Sequence, residues 1–346
     1  MKALVKTREE KGFELQEMAV PQPGEKEILV KMHRAAICGS DIKIYKWDAF
    51  ARSIIPSLPF IPGHECAGEV VEVGKGVKNI KVGDKVASET HIPCGQCWQC
   101  QHGRPHTCEN MQLFGHTING CFAEYAVIPE VSTRKLPPTL SWEEGCMLEP
   151  MGIPYRAAEK GEVEGEAVVV IGCGPIGQFA IGFCHILGAE RIIAVDPKEE
   201  RLRIARSMGA DFFINPETES VTKAVQELTV SAGRGPGVVI EASGSVSALR
   251  EALDYLRVGG RLLILGQSQS PLEIKVSPDI VFKEAQIYGF FGREIWDTWE
   301  KTEQLLVSGR MKVDPVITHR FSLEEYQKAF EKALKGEGGK IVFTFS

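Results

Sequence analysis

No apolar run in the 346-residue sequence approaches the eighteen or so residues of a membrane span. The opening stretch "MKALVKTREEKGF" lacks the apolar segment of a secretory leader. An excess of positive charge is also missing: 40 Lys and Arg face 46 Asp and Glu, for a net charge of −6. That balance argues against broad binding to nucleic acid or to anionic membranes. There is no internal repeat and no low-complexity tract. These absences lead us to expect a cytoplasmic globular protein, in a compartment where thiols stay reduced.

What is present is ordinary in bulk and unusual in detail. The chain is 43% hydrophobic and 25% charged, close to globular averages, and its length suits two domains. It carries ten cysteines. Four of them, Cys94, Cys97, Cys100 and Cys108, crowd into "HIPCGQCWQCQHGRPHTC" as C-x2-C-x2-C-x7-C. Disulfides between such near neighbours would be strained, and the expected compartment disfavours them. A closed tetrahedral zinc site uses all four thiolates at once. The rival is an iron–sulfur cluster, because C-x2-C-x2-C also opens a ferredoxin run. Ferredoxins continue with x3-C-P, whereas here the gap is seven and no proline follows Cys108. Structural zinc is therefore the reading. His91, His102 and His106 lie nearby, but four thiolates fill the shell, and the histidines read as surface-loop residues.

The first 150 residues read as short strands and glycine turns, an all-β pattern. Near Pro154 the pattern changes. "EAVVVIGCGPIGQFAIGFCHILGA" reads as a buried strand, a glycine turn and a helix. "RIIAVD", "DFFIN", "GVVIEAS", "GRLLILG" and "QIYGFFG" supply five more strands, most of them preceded by helical segments. Six apolar strands alternating with helices predict an α/β, doubly wound parallel sheet. The tail from about Trp296 mixes helices with a final strand, "KIVFTF".

Gly172, Gly174 and Gly177 form G-x-G-x-x-G directly between the strand "AVVVI" and a helix. In that context the glycines permit the tight turn, the approach of a pyrophosphate and close helix–strand packing. The free N–H groups and dipole of the helix then face the phosphates. Asp196 ends the second strand. A carboxylate there accepts hydrogen bonds from a ribose 2′-hydroxyl and repels a 2′-phosphate, so NAD is favoured over NADP. Arg201 is close enough in sequence to touch the adenosine end, or to be a solvated helix residue.

Cys38, His64 and Glu65 offer a thiolate, an imidazole and a carboxylate, and Glu149 in "CMLEPMG" a second carboxylate. Three ligands and an open position are what catalytic zinc requires, although a lone buried Cys38 also reads as a small core residue.

Residues 63–74, G-H-E-x-x-G-x-V-x-x-x-G, resemble the signature of the zinc-dependent medium-chain alcohol dehydrogenases. The four-cysteine run and G-x-G-P-x-G follow where that family has them, so the resemblance covers the whole chain. It is strongest to the family's threonine-oxidising members, through "CGSDIKIYKWDAF", "SETHIPCGQC", "GCFAEYAVIP", "FGREIWDTW" and "DPVITHRFS". The resemblance implies a GroES-like β-rich catalytic domain, residues 1–153 and 294–346, with the cysteine lobe at about 91–110. A Rossmann NAD-binding domain, 154–293, interrupts it. It also implies a homotetramer.

Carried over by position, Cys38, His64, Glu65 and Glu149 correspond to catalytic-zinc positions, and the four lobe cysteines to the structural zinc. Ile176, Asp196, Arg201, Leu265, Gly266, Gln267, Phe290 and Phe291 correspond to NAD contacts. The implied reaction is NAD-linked oxidation of a secondary alcohol, L-threonine to 2-amino-3-oxobutanoate, with a polyol or sugar dehydrogenase as the alternative. Two stretches depart from the threonine-oxidising pattern. The proton-relay threonine and histidine are replaced by Ser40 and Lys43, and "EPMGIPYRAAEK" stands in place of a P-x-G-N-A-V-x-T-like segment. Serine keeps the hydroxyl; lysine, with a reference pKa near 10.4, does not keep a group titrating near neutrality. Lys43 then serves as a perturbed relay group, a substrate contact or an outward-pointing charge.

Overall fold

Five successive apolar residues, Ala167–Ile171, all buried, form the middle strand of a six-stranded sheet. A strand covered on both faces needs such a run. In the computed structural model, which describes residues 1–268 and 270–345, the strand order is Phe212–Ile214, Arg191–Val195, Ala167–Ile171, Val238–Glu241, Arg261–Ile264, Gln286–Gly289. Every pairing is parallel. Val169 lies between Ile193 and Val239, in a core that continues through Val225, Leu249 and Leu262. The strand order reverses beside Ala167–Ile171, where the G-x-G-x-x-G loop leaves the sheet.

A second sheet of seven strands centres on Glu27–Ala36, which pairs antiparallel with Glu65–Val73, Lys340–Thr344 and Tyr125–Pro129. Its register sets Ala36 between Glu65 and Val342. Beneath it Phe114, Phe122, Phe330 and Phe343 form a fully buried aromatic core, with Phe122 edge-on to Phe343 at 5.3 Å.

The chain divides into two units. One comprises Met1–Pro150, Glu294–Val307 and the residues from 317 onward; the other comprises Met151–Arg293 and Ser308–Val316. Residues 151–153 and 308–316 thus group with the six-stranded sheet, not with the first 150 residues. Packing explains this. A side chain at Gly152 would collide with Arg293, and Met311 sits against Gly182. Arg310 donates to the Ile186 carbonyl at 3.1 Å.

The all-strand reading of the first 150 residues is corrected at two helices ahead of the cysteine lobe, Gly39–Lys46 and Ala49–Ile54, and again at Trp98–Gln101 and the start of Trp142–Lys160. Asp48 caps the second, its Oδ1 accepting from Phe50 N and Ala51 N. Asp41 closes the first turn of the other, its Oδ2 accepting from Cys38 N at 2.8 Å. Such caps satisfy backbone donors that have no partner inside the helix.

Candidate active site

The strand Glu27–Ala36 ends two residues before Cys38, which caps the helix Gly39–Lys46. His64 and Glu65 stand at the start of the neighbouring strand, Glu65–Val73. Gly63 turns the chain into that strand at φ +93°, and a Cβ there would strike the Phe122 ring; this is why glycine precedes the histidine. The result is compact. One donor atom from each of Cys38, His64 and Glu65 lies within 4.8 Å of the other two. A thiolate, an imidazole and a carboxylate so arranged fit zinc with one place left open.

Three residues outside the sequence motif shape this set. Asp41, wholly buried, approaches His64 Nδ1 at 3.8 Å. Lys340, also buried, donates to both carboxylate oxygens of Glu65 and to the Ile37 carbonyl at 3.3 Å. The His116 ring lies 4.6 Å from the His64 ring. Without metal, charge and burial compete here. Burial pushes the Glu65 carboxyl up to about 8 against the pull of Lys340. Burial likewise raises Asp41 to about 6. Burial opposes the charged forms of Cys38 and His64 too, but each stabilises the other's charge. The thiol falls to about 6, and the imidazole rises to about 10.

Glu149 is not part of the compact set. It is buried on the helix Trp142–Lys160, and its Oε1 accepts the Thr90 hydroxyl. Ser40 Oγ is a buried oxygen with no hydrogen-bond partner among the described residues. The Lys43 ammonium does not simply point to solvent: it stands over the Phe50 ring, 5.0 Å from its centroid. Phe50 in turn meets His116 edge-on at 5.9 Å.

The Sγ atoms of Cys94, Cys97, Cys100 and Cys108 also lie within 4.8 Å of one another. Tetrahedral zinc with Zn–S bonds near 2.3 Å requires sulfurs about 3.8 Å apart. Cys97 and Cys108 show that spacing, 3.8 Å. Backbone N–H groups of Cys97, Cys94 and Asn110 point at sulfurs from 3.3 Å. Donation from the Gln96 and Cys97 backbone brings the Cys94 thiol down to about 6. Burial pushes Cys100 up to about 12. The reading of the nearby histidines as surface residues is corrected for two of them. His106 and His91 are buried. His91 donates its backbone N–H to Glu89 Oε1, its Nδ1 lies 2.8 Å from that oxygen, and Glu89 Oε2 accepts from Trp299 Nε1 at 2.7 Å. A buried carboxylate with three polar neighbours holds the strand that enters the lobe. His102 stacks on Trp98 at 4.1 Å, as a loop residue does.

In the other unit, Gly172 adopts φ +85° and Gly174 caps the helix Pro175–Ile186, which carries Ile176 and Gly177 in its first turn. Any side chain at Gly177 would collide with the Gly172 carbonyl. Asp196 is buried. Its Oδ2 accepts from Cys173 N at 2.8 Å and its Oδ1 from Lys198 N at 2.9 Å. Arg201 reaches toward it, with NH1 3.6 Å from Oδ2, and borders Gly174; the freely solvated reading of Arg201 does not hold. Leu265, Gly266 and Gln267 follow the strand Arg261–Ile264, and Phe290 and Phe291 follow Gln286–Gly289. All these residues therefore lie at or just beyond the carboxyl ends of parallel strands, where open α/β sheets bind ligands. Glu241, unmarked in the sequence, organises the loop after its own strand. Its Oε1 accepts from Ser243 N, Ser243 Oγ and Gly244 N.

The family pattern "Alcohol dehydrogenase GroES-like domain" matches residues 24–138, and "Zinc-binding dehydrogenase" matches 175–308. The chain is 41% identical to an L-threonine 3-dehydrogenase of Pyrococcus furiosus over 344 residues, 99% of this chain and 98% of that protein. Among solved structures it resembles an alcohol dehydrogenase (rspB) of E. coli CFT073 in complex with NADH, with TM-score 0.89, 29% identity and coverage of 100% and 99%. It also resembles galactitol-1-phosphate dehydrogenase of Escherichia coli, with TM-score 0.90, 26% identity and full coverage of both chains.

Proposed function

Because the chain belongs to the zinc-binding alcohol dehydrogenase family, we propose that it oxidises the 3-hydroxyl of L-threonine to 2-amino-3-oxobutanoate. The carbinol carbon gives a hydride to NAD and the hydroxyl gives up a proton, so NAD leaves as NADH. The observation that carries the reading is the convergence of Cys38, His64 and Glu65 within 4.8 Å. The threonine assignment is supported by full-length similarity to a protein of that name.

Bound zinc would act as a Lewis acid that acidifies the substrate hydroxyl, and NAD would supply the hydride acceptor. The chain's own residues do the rest. Cys38, His64 and Glu65 hold the metal, while Asp41 and Lys340 orient the imidazole and the carboxylate. Ser40 Oγ, a buried hydroxyl with a spare hydrogen bond, takes the substrate proton and passes it outward. Cys94, Cys97, Cys100 and Cys108 hold a second, structural zinc. Backbone N–H groups from Gly172 to Gly177 face the pyrophosphate, Asp196 the adenosine ribose and Arg201 the same end.

Asp196→Ser removes the ribose acceptor and the repulsion of a 2′-phosphate. The ratio of kcat/KM for NAD over NADP should fall by about tenfold to a hundredfold, the worth of a charged hydrogen bond. Equal wild-type efficiency with both cofactors would contradict this role for Asp196.

The assembly we propose is a cytoplasmic homotetramer. Among its supports is the sheet-edge strand Gln286–Gly289, which keeps Ile287 exposed, with Phe282 and Phe291 exposed nearby. No helix among the described residues is long and apolar enough to cross a membrane.

A polyol or sugar alcohol is the second reading. Lys43 in place of the relay histidine favours it, as does similarity to a galactitol-1-phosphate dehydrogenase. NADH formation measured against L-threonine, L-serine, 2,3-butanediol, sorbitol and inositols decides between them. L-threonine should lead in kcat/KM by at least about tenfold, since the site must match its polar groups. Sorbitol or an inositol leading instead would transfer the assignment to the second reading.

A further inference from the structure

A wholly buried ammonium, that of Lys6, lies outside the donor set. Its Nζ donates to the carbonyls of Glu10, of Gly12 at 3.1 Å and of Tyr45 at 3.3 Å. The Phe13 and Trp47 rings close the cage, their centroids 5.6 and 5.3 Å away. Taking an ammonium out of water is costly unless other groups replace the water. Carbonyl dipoles and ring faces do so here. Burial lowers the ammonium to about 8, and it keeps its charge at neutral pH. An apolar side chain of like length would avoid the cost altogether, so the cation matters for what it joins.

It joins the two segments that deliver Cys38 and His64. Tyr45 and Trp47 end the helix Gly39–Lys46, whose other end is capped by Cys38 and carries Ser40. A helix of eight residues is not stable alone. The Tyr45 carbonyl, one of the last in the helix, has no partner inside it. It accepts instead from Lys6 Nζ and from Gly12 N at 2.9 Å, and a cation at this end also offsets the helix dipole. Trp47 leaves the helix at φ +56°, a left-handed conformation unfavourable for so bulky a side chain. The Lys6 backbone meanwhile pairs with Phe60, its N–H donating at 2.7 Å and its carbonyl accepting at 3.0 Å. His64 follows Phe60 by four residues. We infer that Lys6 is a positioning residue for the metal set: its ammonium holds the helix that starts at Cys38 against the segment that leads to His64. This rests on reading Cys38, His64 and Glu65 as metal donors.

The test uses the full-length protein loaded with cobalt in place of zinc. Four thiolates and a Cys–His–Glu set give different ligand fields, so transfer of each ion to a chelator is followed at its own absorption band, well below the melting temperature. Lys6→Met keeps the bulk of the stem and removes the cation. Release from the Cys38–His64–Glu65 set should quicken by about tenfold, the lower end of an outer-shell change, while release from the cysteine lobe and NADH binding stay unchanged. The fall in kcat should exceed any rise in KM for the alcohol. Lys6→Ala should show the same defects. Added propylammonium should restore slow release, because it returns a cation to the three carbonyls; propionamide, neutral and of like size, should not. Release at the wild-type rate from folded Lys6→Met and Lys6→Ala overturns the inference even if both melt lower, since the ammonium then supports the fold without setting the site. Restoration by propionamide overturns it too, because bulk rather than charge then matters. Should neither variant fold, Lys6→Arg decides. Its larger planar head keeps the charge but spreads the carbonyls, which predicts faster release from the Cys38 set alone; release at the wild-type rate overturns the inference. Uptake of only one cobalt per wild-type chain, in the cysteine lobe, instead overturns the metal assignment of Cys38, His64 and Glu65.

Discussion

Cys38→Ser or His64→Ala will lower turnover by at least about a thousandfold while NADH still binds. A Lewis acid contributes several kcal/mol to stabilising charge in such a reaction, and each 1.36 kcal/mol is a factor of ten. Both residues belong to a set with three close donors among the described residues, so losing one leaves two. The residues proposed to face the nucleotide, Gly172 to Gly177 and Asp196, belong to the other unit and its own sheet. A fluorescence titration with NADH therefore separates lost chemistry from a lost fold. A variant that loses NADH binding and unfolds would leave the catalytic assignment without support. A variant that keeps wild-type turnover would refute it.

Cys97→Ser should act oppositely, on stability before chemistry. The lobe cysteines span 14 residues between Cys94 and Cys108, and the elements they join are short. The helix Trp98–Gln101 has one turn, and the strand His91–Ile92 pairs with only two residues of Gln112–Leu113. Elements this small draw their order from the bound metal. Several kcal/mol of lost metal binding corresponds to a drop of about 10 °C in Tm for a protein of this size. Zinc content should fall from two per chain to one, measured by metal analysis beside a thermal melt. A soluble variant with both zincs and an unchanged Tm would contradict the assignment.

What the sequence made legible was local. The strand, turn and helix around Gly172–Gly177 lie within one stretch of chain, and their hydrophobic period and glycine spacing mark each element. The four lobe cysteines are readable for the same reason. The helices Gly39–Lys46 and Ala49–Ile54 were hidden because they are short and their start signals are polar side chains, Asp41 and Asp48, inside a run of strand-like residues. The partners of the metal set were hidden by distance along the chain. Lys340 meets Glu65 across 275 residues, and Trp299 meets Glu89 across 210. No periodicity or spacing connects residues that far apart; only the sheet register does. His116 lies closer in sequence, but nothing around "FGHTING" distinguishes a histidine against the His64 ring from one in a solvent loop.

The sheet that carries Cys38 and Glu65 is completed by Lys340–Thr344, which pairs with Arg34, Ala35 and Ala36. Lys340 lies 303 residues beyond Ile37. At roughly 5–20 residues per second of synthesis, the strand Glu27–Ala36 waits about 15–60 s for its last neighbour. During that interval the six-stranded sheet can form, because most of its unit precedes residue 294. The four lobe cysteines can capture an ion as soon as their short loop emerges. Cys38, His64 and Glu65 meanwhile lack the ammonium that offsets the charge of Glu65. On the nascent chain the cysteine lobe therefore has all its sulfur donors long before the ammonium that offsets the charge of Glu65 is made, 275 residues after Glu65 itself.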